Sequence, residues 1–325
     1  LLLWGNRLWP GVLLGAFLVN ITTEGDLATT LGIASGSTLG ALVGAWLIHR
    51  FANGHKVFER ARNIFKFVLL TAFISTAVSA TFGVTSLTLR GYAPWDRYGA
   101  IWLTWWLGDI TGDLLVAPLL VIWLTQPYPN LKPRRIFEAL GLLLLILSLA
   151  HIVFLSGAAR ALEYVLILPL LWAAFRFGQR GPVTAAFLTS AIALAGTVQG
   201  MGPFATAGPS QALVHLQGFM GTIAMAALVL AAVISERARA EQELEVQEAV
   251  SRILADSPDL KDAGAKILQV LCERAKWTTG AIWSIDPPSN ELACVEFWHV
   301  PSTEARRFEA ESRKRRFAPG IGLPG

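Results

Sequence analysis

Long apolar runs alternate with short polar segments through the first 235 residues, and then the pattern changes. The apolar runs are Leu8–Ile21, Leu27–Ile48, about Phe67–Leu89, Ile101–Trp123, Leu140–Leu155, about Ala161–Phe175, about Pro182–Val198 and about Leu213–Ile234. A helix needs about 20 mostly apolar residues to cross the hydrocarbon core of a bilayer. The pattern therefore predicts about eight transmembrane helices, of which the first, sixth and seventh are short. The segments between them are rich in turn formers or basic residues: Thr22–Asp26, His49–Lys66, Arg90–Arg97, Gln126–Arg135, Arg176–Gly181 and Gln199–Ser210. From Glu236 the chain becomes charged and amphipathic, continuing the last span as a helix. Val246, Val250, Ile253 and Leu254 fall at three- and four-residue steps, a coiled-coil-like seam that predicts a signal-transmitting helix and homodimer contacts. Beyond it, Leu260–Ala275 reads as an amphipathic helix. GAIWSID and LACVEFWHV read as strands joined by the turn Pro287–Asn290, and Ser302–Arg316 reads as a charged helix before the closing FAPGIGLPG.

Composition agrees with a membrane bundle. Hydrophobic residues make up 54% of the chain and charged ones 15%, and the mean hydropathy is +0.50. The net charge of +4 is no nucleic-acid footprint, because the basic residues of the apolar part sit between spans. Arg7; Arg50, Lys56, Arg60, Arg62 and Lys66; Lys132, Arg134 and Arg135; Arg176 and Arg180; and Arg237 and Arg239 fall in alternate connections, against only Arg90, Arg97 and Arg160 in the others. The positive-inside rule then puts the first set and everything after Ser235 in the cytoplasm. Cys272 and Cys294 are too few for a disulfide framework and read as reduced core thiols. Leu1–Leu3 look like the end of a span already under way, no signal peptide is visible, and the chain is expected to be a fragment open at both ends. The expected layout is a mainly α membrane domain at 1–235, a helical linker at 236–256 and a partial α+β domain at 257–325.

The candidate chemistry lies inside Ile101–Trp123, which carries Asp109 and Asp113. Asp109 lies ~15 Å along the helix from Tyr98–Gly99, near mid-membrane, and the four-residue spacing puts both acids on one face. A charge at that depth costs roughly 2.5–3.5 kcal/mol, and such residues usually face a bundle interior or a cavity. Two carboxylates there suit a proton-linked switch or a site for a cationic or hydroxyl-rich ligand. The alternative is structural: hydroxyls of Thr71, Ser75, Thr76 or Ser79, an indole of Trp105 or Trp106, or an arginine satisfies them. Trp105 and Trp106 are candidates to line the acid site, whereas Trp95 and Trp102 read as an interfacial belt. Glu163 and Tyr164, near the outer end of the sixth run, either border an outward-facing pocket or mark a wetted helix end. Gly32, Gly36, Gly40 and Gly44 form a small-residue stripe for close helix packing, within the chain or between copies. His151 and His215 stand alone. No metal site, catalytic constellation or cofactor motif is expected.

Three stretches carry a resemblance to a known family: WPGVLLGAFLVN at 9–20, WLTWWLGDITGDLLVAPLL at 102–120, and PLLWAAFRFGQRG with GTVQGMGPF between 169 and 204. Together they resemble MASE1, a bacterial membrane-associated sensor domain, over nearly all of residues 1–235. Residues 247–325 are similar to the first half of a GAF domain, through GAIWSID and FAPGIGLPG. The resemblance implies the input region of a bacterial inner-membrane sensor that responds to a small molecule or membrane-derived signal. A two-component histidine kinase is the first expectation for the parent protein. The alternatives are a diguanylate cyclase input region, or a proton-coupled secondary transporter with a regulatory cytosolic domain. No kinase nucleotide-binding motif and no GGDEF-type loop occurs in these residues.

Overall fold

The computed structural model describes residues 1–23, 26–126, 132–156, 162–206, 208–257, 260–275, 277–318 and 320. Two compact units divide the chain, Leu1–Arg237 and Ala238–Gly325. Helices carry the first unit: α1 (Trp9–Ile21), α2 (Leu27–Phe51), α3 (Ala61–Phe67), α4 (Thr76–Leu89), α5 (Tyr98–Thr125), α6 (Pro133–Phe154), α7 (Ile167–Phe177), α8 (Arg180–Val198) and α9 (Pro209–Asp256). A π-helical stretch, Val68–Ser75, joins α3 to α4, so that Ala61–Leu89 runs as one helical rod of 29 residues.

Among the described residues, six helices are long and apolar enough to cross a membrane: Leu27–Phe51, Ala61–Leu89, Trp95–Thr125, Pro133–Phe154, Arg180–Val198 and Gln211–Asp256. The first and sixth expected spans are α1, of 13 residues, and α7, of 11 residues, each preceded by a 3-10 turn. Several expected boundaries are corrected. Arg176 and Arg180, expected in a connection, lie in α7 and α8, and α7 runs Ile167–Phe177 rather than from about Ala161 to Phe175. The third span begins at Ala61 rather than near Phe67, so much of His49–Lys66 is helical, and the fifth begins at Pro133 rather than Leu140. Arg62, Lys66, Arg134 and Arg135 end the apolar run without ending the helix, because basic side chains are good helix formers and reach outward from the bilayer. Lys66 donates to the Phe51 carbonyl at 2.7 Å, satisfying the end of α2. The expected Arg160 and half of the Gln126–Arg135 connection, residues 127–131, lie outside the described residues.

Local chemistry explains where other helices start. Asp26 caps α2 by accepting from the Thr29 backbone N–H at 2.9 Å, and prolines 10 and 133 occupy first turns, where no N–H is needed. Gly178, at φ 62°, breaks the chain between α7 and α8.

The glycine stripe of α2 packs on the Ala61–Leu89 rod. A Cβ at Gly32 would collide with the Ser86 side chain, and one at Gly36 with that of Phe82. At Gly40 it would lie 2.9 Å from the Ser75 carbonyl oxygen, and at Gly44 2.8 Å from the Ser75 hydroxyl. That hydroxyl donates to the Gly40 carbonyl at 2.7 Å. The same rod meets α5 through Gly83, against which the Trp105 ring lies, and through a 3.0 Å bond from the Trp102 indole to Thr81. Phe154 of α6, Phe219 of α9 and Phe204 cluster, with Phe154 stacked on Phe204 and edge-on to Phe219. Large apolar side chains such as Trp46, Leu69, Leu144 and Phe175 remain exposed on this unit, as lipid-facing helices require.

The second unit holds α10 (Leu260–Ala275), β1 (Thr279–Asp286), β2 (Glu291–His299), α11 (Thr303–Lys314) and a short β3 (Arg316–Phe317), besides the last turns of α9. The sheet order is β1-β2-β3, antiparallel, with Thr279 opposite His299 and a register shift at Ile282/Trp283. The two expected strands form the hairpin. β3 takes Arg316 away from the expected end of the charged helix, which closes at Lys314. Ser302 caps α11 through the Ala305 N–H at 3.0 Å, and α10 lays Cys272 and Leu268 against Gly280.

Candidate functional site

α5 supplies both acids, one helical turn apart. They face a cavity of about 750 Å³ bounded by α2 at Ser37, Gly40 and Gly44, by the Ala61–Leu89 rod at Thr71, Ser75 and Ser79, and by the residues Leu1–Trp4. A second cavity, of about 630 Å³, lies toward the other end of α5, between Tyr92–Arg97, Trp105 and two residues of α9, Leu213 and Gln217. Gly108 and Asp109 border both. Asp109 thus borders both spaces, while Asp113 belongs to the first alone. Mostly apolar walls with a few convergent polar groups are the usual make-up of a small-molecule site.

Asp109 has the Ser79 hydroxyl and the Trp105 indole as polar neighbours. Asp113 has Asp109 as its charged neighbour. Among the described residues neither acid forms an ion pair. The structural alternatives raised by the sequence are therefore met in part: one hydroxyl and one indole reach Asp109, and no arginine does. Ser75 is committed to Gly40, and Thr71 leaves a buried hydroxyl without a partner beside the cavity. Thr71 and Ser75 both lie in the π-helical stretch, a rare geometry that often marks functional sites.

Of the residues singled out by sequence, Trp105 joins the acids and Trp106 does not. The Trp106 indole donates to the Phe73 carbonyl at 3.2 Å and its ring packs on Phe73 and Trp102, because one residue along a helix turns the side chain by about 100°. Glu163 and Tyr164 sit in the 3-10 turn before α7 and line neither cavity; Tyr164 is exposed, and one Glu163 carboxylate oxygen is buried without a partner. Val246, Val250 and Ile253 are half-buried and Leu254 is exposed.

Gln217 is a site residue that the apolar pattern does not single out. Its amide donates to the Thr104 carbonyl of α5 at 3.0 Å, and its carbonyl oxygen is buried without a partner. An amide within the mostly apolar stretch 213–234 was the available signal. A second signal was the doubled Gly-Asp of GDITGD, which keeps a bare backbone position beside each acid, Gly108 and Gly112, on the cavity wall.

The MASE1 family profile matches residues 1–238. The chain belongs to the MASE1 family. MASE1 is a membrane-associated sensor domain found in signalling proteins, so the two cavities and both acids lie within the sensor part of this membrane protein. A search of curated proteins and a search of solved structures found no match. The second unit lies largely beyond the matched residues and holds its own cavity, of about 500 Å³, between α11 and the sheet at Trp283, Phe297, Phe308 and Phe317. Among the described residues no group of three or more His, Cys, Asp or Glu is placed to hold a metal ion.

Proposed function

We propose that this MASE1 chain is the ligand-sensing input region of a bacterial signalling protein, and that the signal reaches the cytosol through α9. One observation carries the reading. The helix that borders the acid-containing site at Leu213 and Gln217 continues without interruption to Asp256. A ligand entering between Arg97 and Asp109 would compete for the Thr104–Gln217 contact and for the unpartnered Gln217 oxygen. It would thereby favour one placement of α9 over another, which is what coupling requires. A cationic or hydroxyl-rich small molecule suits an acid, an indole and an amide in an apolar wall.

The finer topology belongs to the same proposal. α1 and α7 complete eight crossings, the basic connections face the cytoplasm of an inner membrane, and α9 delivers its C-terminal half there. The half-buried Val246, Val250 and Ile253 with the exposed Leu254 support homodimerisation through the cytosolic helices. The α10–β1–β2–α11 unit would then be the opening of a GAF domain ahead of an output module. A two-component histidine kinase is favoured for that output, and a diguanylate cyclase is the alternative.

Insertions of one to four residues after Ala240, made in the complete protein, test the reading. Each inserted residue rotates the downstream chain by ~100°, so output should rise and fall with helical phase. Output that stays constant across all four would exclude transmission by this helix.

The position of Asp109 on the walls of two cavities favours one rival, a proton-coupled transporter, because alternating access needs space on both sides of a midplane group. Proton-driven uptake into vesicles that Asp109→Asn abolishes would establish that rival.

A further inference from the structure

Away from the acids, α6, α7 and α8 enclose a cavity of about 430 Å³ with two chemically distinct ends. One wall is apolar, with Leu143, Ile146 and Leu188. The other end carries three guanidinium groups: Arg135 in the first turn of α6, Arg176 in the last turn of α7, and Arg180 at the start of α8. Among the described residues no carboxylate lines it.

Arg180 is the unusual member. It is only 8% exposed, its guanidinium lies 4.8 Å from the centre of the Trp123 ring, and one terminal nitrogen donates to the Gln126 carbonyl at 2.8 Å. Its Nε is buried with no partner. Among the described residues no carboxylate pairs with it, whereas Arg176 is held by Glu138 in a two-pronged ion pair. A buried cation without a counter-charge is costly, and a buried N–H without an acceptor adds to that cost. Both deficits call for an anion with acceptor oxygens.

The apolar wall decides which anion. An inorganic ion would use the arginines and leave Leu143, Ile146 and Leu188 without a role. An amphiphile uses both ends, and basic pockets between membrane helices at the headgroup level are suited to acidic lipids. The neighbouring Leu144 and Phe175 are exposed, an apolar surface of the kind that lipid-facing helices present. We propose that this cavity binds an anionic phospholipid, its phosphate between Arg180 and Arg135 and one acyl chain along Leu143, Ile146 and Leu188. Gln179, the residue before Arg180, donates to the Phe58 carbonyl at 2.8 Å and to the Ala231 carbonyl of α9 at 3.4 Å. Lipid occupancy would therefore bear on α9 from a point remote from Asp109.

The test uses the whole chain in detergent, with thermal midpoint and native mass spectrometry as readouts, against added phosphatidylglycerol, phosphatidylcholine or inorganic phosphate. Phosphatidylglycerol should raise the midpoint and remain bound as one retained lipid. Arg135→Gln, at an exposed position, should weaken its apparent affinity about fivefold, the effect of one basic residue near a headgroup. Arg180→Gln should weaken it further, and Arg62→Gln, outside the cavity, should leave it unchanged. Equal effects of phosphatidylcholine, full reproduction by inorganic phosphate, or no difference between the Arg135 and Arg62 variants would each overturn the proposal. Arg135→Gln carries the test if Arg180→Gln does not fold.

Discussion

Gly40→Ala probes the contact on which the acid site is built. A methyl at position 40 would stand 2.9 Å from the Ser75 carbonyl oxygen and 3.5 Å from the Ser79 Cβ and backbone nitrogen. Ordinary contact begins near 3.4 Å, so α2 and the Ala61–Leu89 rod must part by roughly half an ångström. The obstructing atom is backbone, so no side-chain rotation relieves the clash. Separation also stretches the 2.7 Å bond from Ser75 to the Gly40 carbonyl. Overpacking of this kind costs about 1–3 kcal/mol, whereas replacing a helical glycine by alanine returns at most about 1 kcal/mol. The balance is a loss of about 1 kcal/mol, or about 2–4 °C in thermal midpoint for a domain of this size. Gly141→Ala, where nothing lies within 4 Å of the added methyl, supplies the control and should be neutral or slightly stabilising. Tryptophan fluorescence during thermal unfolding in detergent measures both. If Gly40→Ala were as stable as Gly141→Ala, close approach of the two helices would not be what holds this side of the cavity.

Three further outcomes are expected at single sites. Asp26 lies outside the spans, and its carboxyl is held below the usual range by the Thr29 side chain and backbone N–H, with Arg90 adding to the effect. A folded-state value below the unfolded one means that the stabilisation is present above about pH 4 and lost as the pH falls through the folded value. Asp26→Asn keeps the cap and loses the charge, so its thermal midpoint should change less than that of the wild type below pH 4. Cys272 and Cys294 are buried and burial pushes both thiols up, so the folded chain should alkylate at neutral pH far more slowly than the denatured chain. Fast labelling of Cys272 would mean that α10 does not stay on the sheet, and fast labelling of Cys294 that α11 does not. Asn53, at φ 63°, occupies the left-handed region, so Asn53→Val should lower the midpoint while Asn53→Gly is tolerated.

Much of this protein was legible one residue at a time. The apolar runs announced membrane helices because a bilayer imposes a length on any segment that crosses it, and Asp109 and Asp113 stood out because charge is rare at that depth. The glycine ladder of α2 was equally plain, since a period of four keeps one helix face bare. The hairpin of the second unit was evident from its alternation and its turn.

The partners of these residues were decided only in three dimensions. Spacing could not say whether Trp105 or Trp106 joins the acids, because adjacent residues on a helix differ by ~100° and only the placement of a neighbouring helix chooses between them. Helix ends at Ala61 and Pro133 escaped the apolar pattern because hydropathy marks where lipid ends, while backbone hydrogen bonding marks where a helix ends. The π-helical stretch at Val68–Ser75 gave no warning in its residues, and neither did the place of Asp109 on the walls of two cavities. Gln217 showed in the chain only as an amide within an apolar run, and Arg180 only as one more basic residue of a connection. Their unpartnered atoms exist only because distant helices close around them and exclude other partners. Sequence determined which segments enter the membrane and which carry charge there, since those are properties of single segments. Tertiary structure decided which charges are answered, since a hydrogen bond or an ion pair belongs to two segments at once.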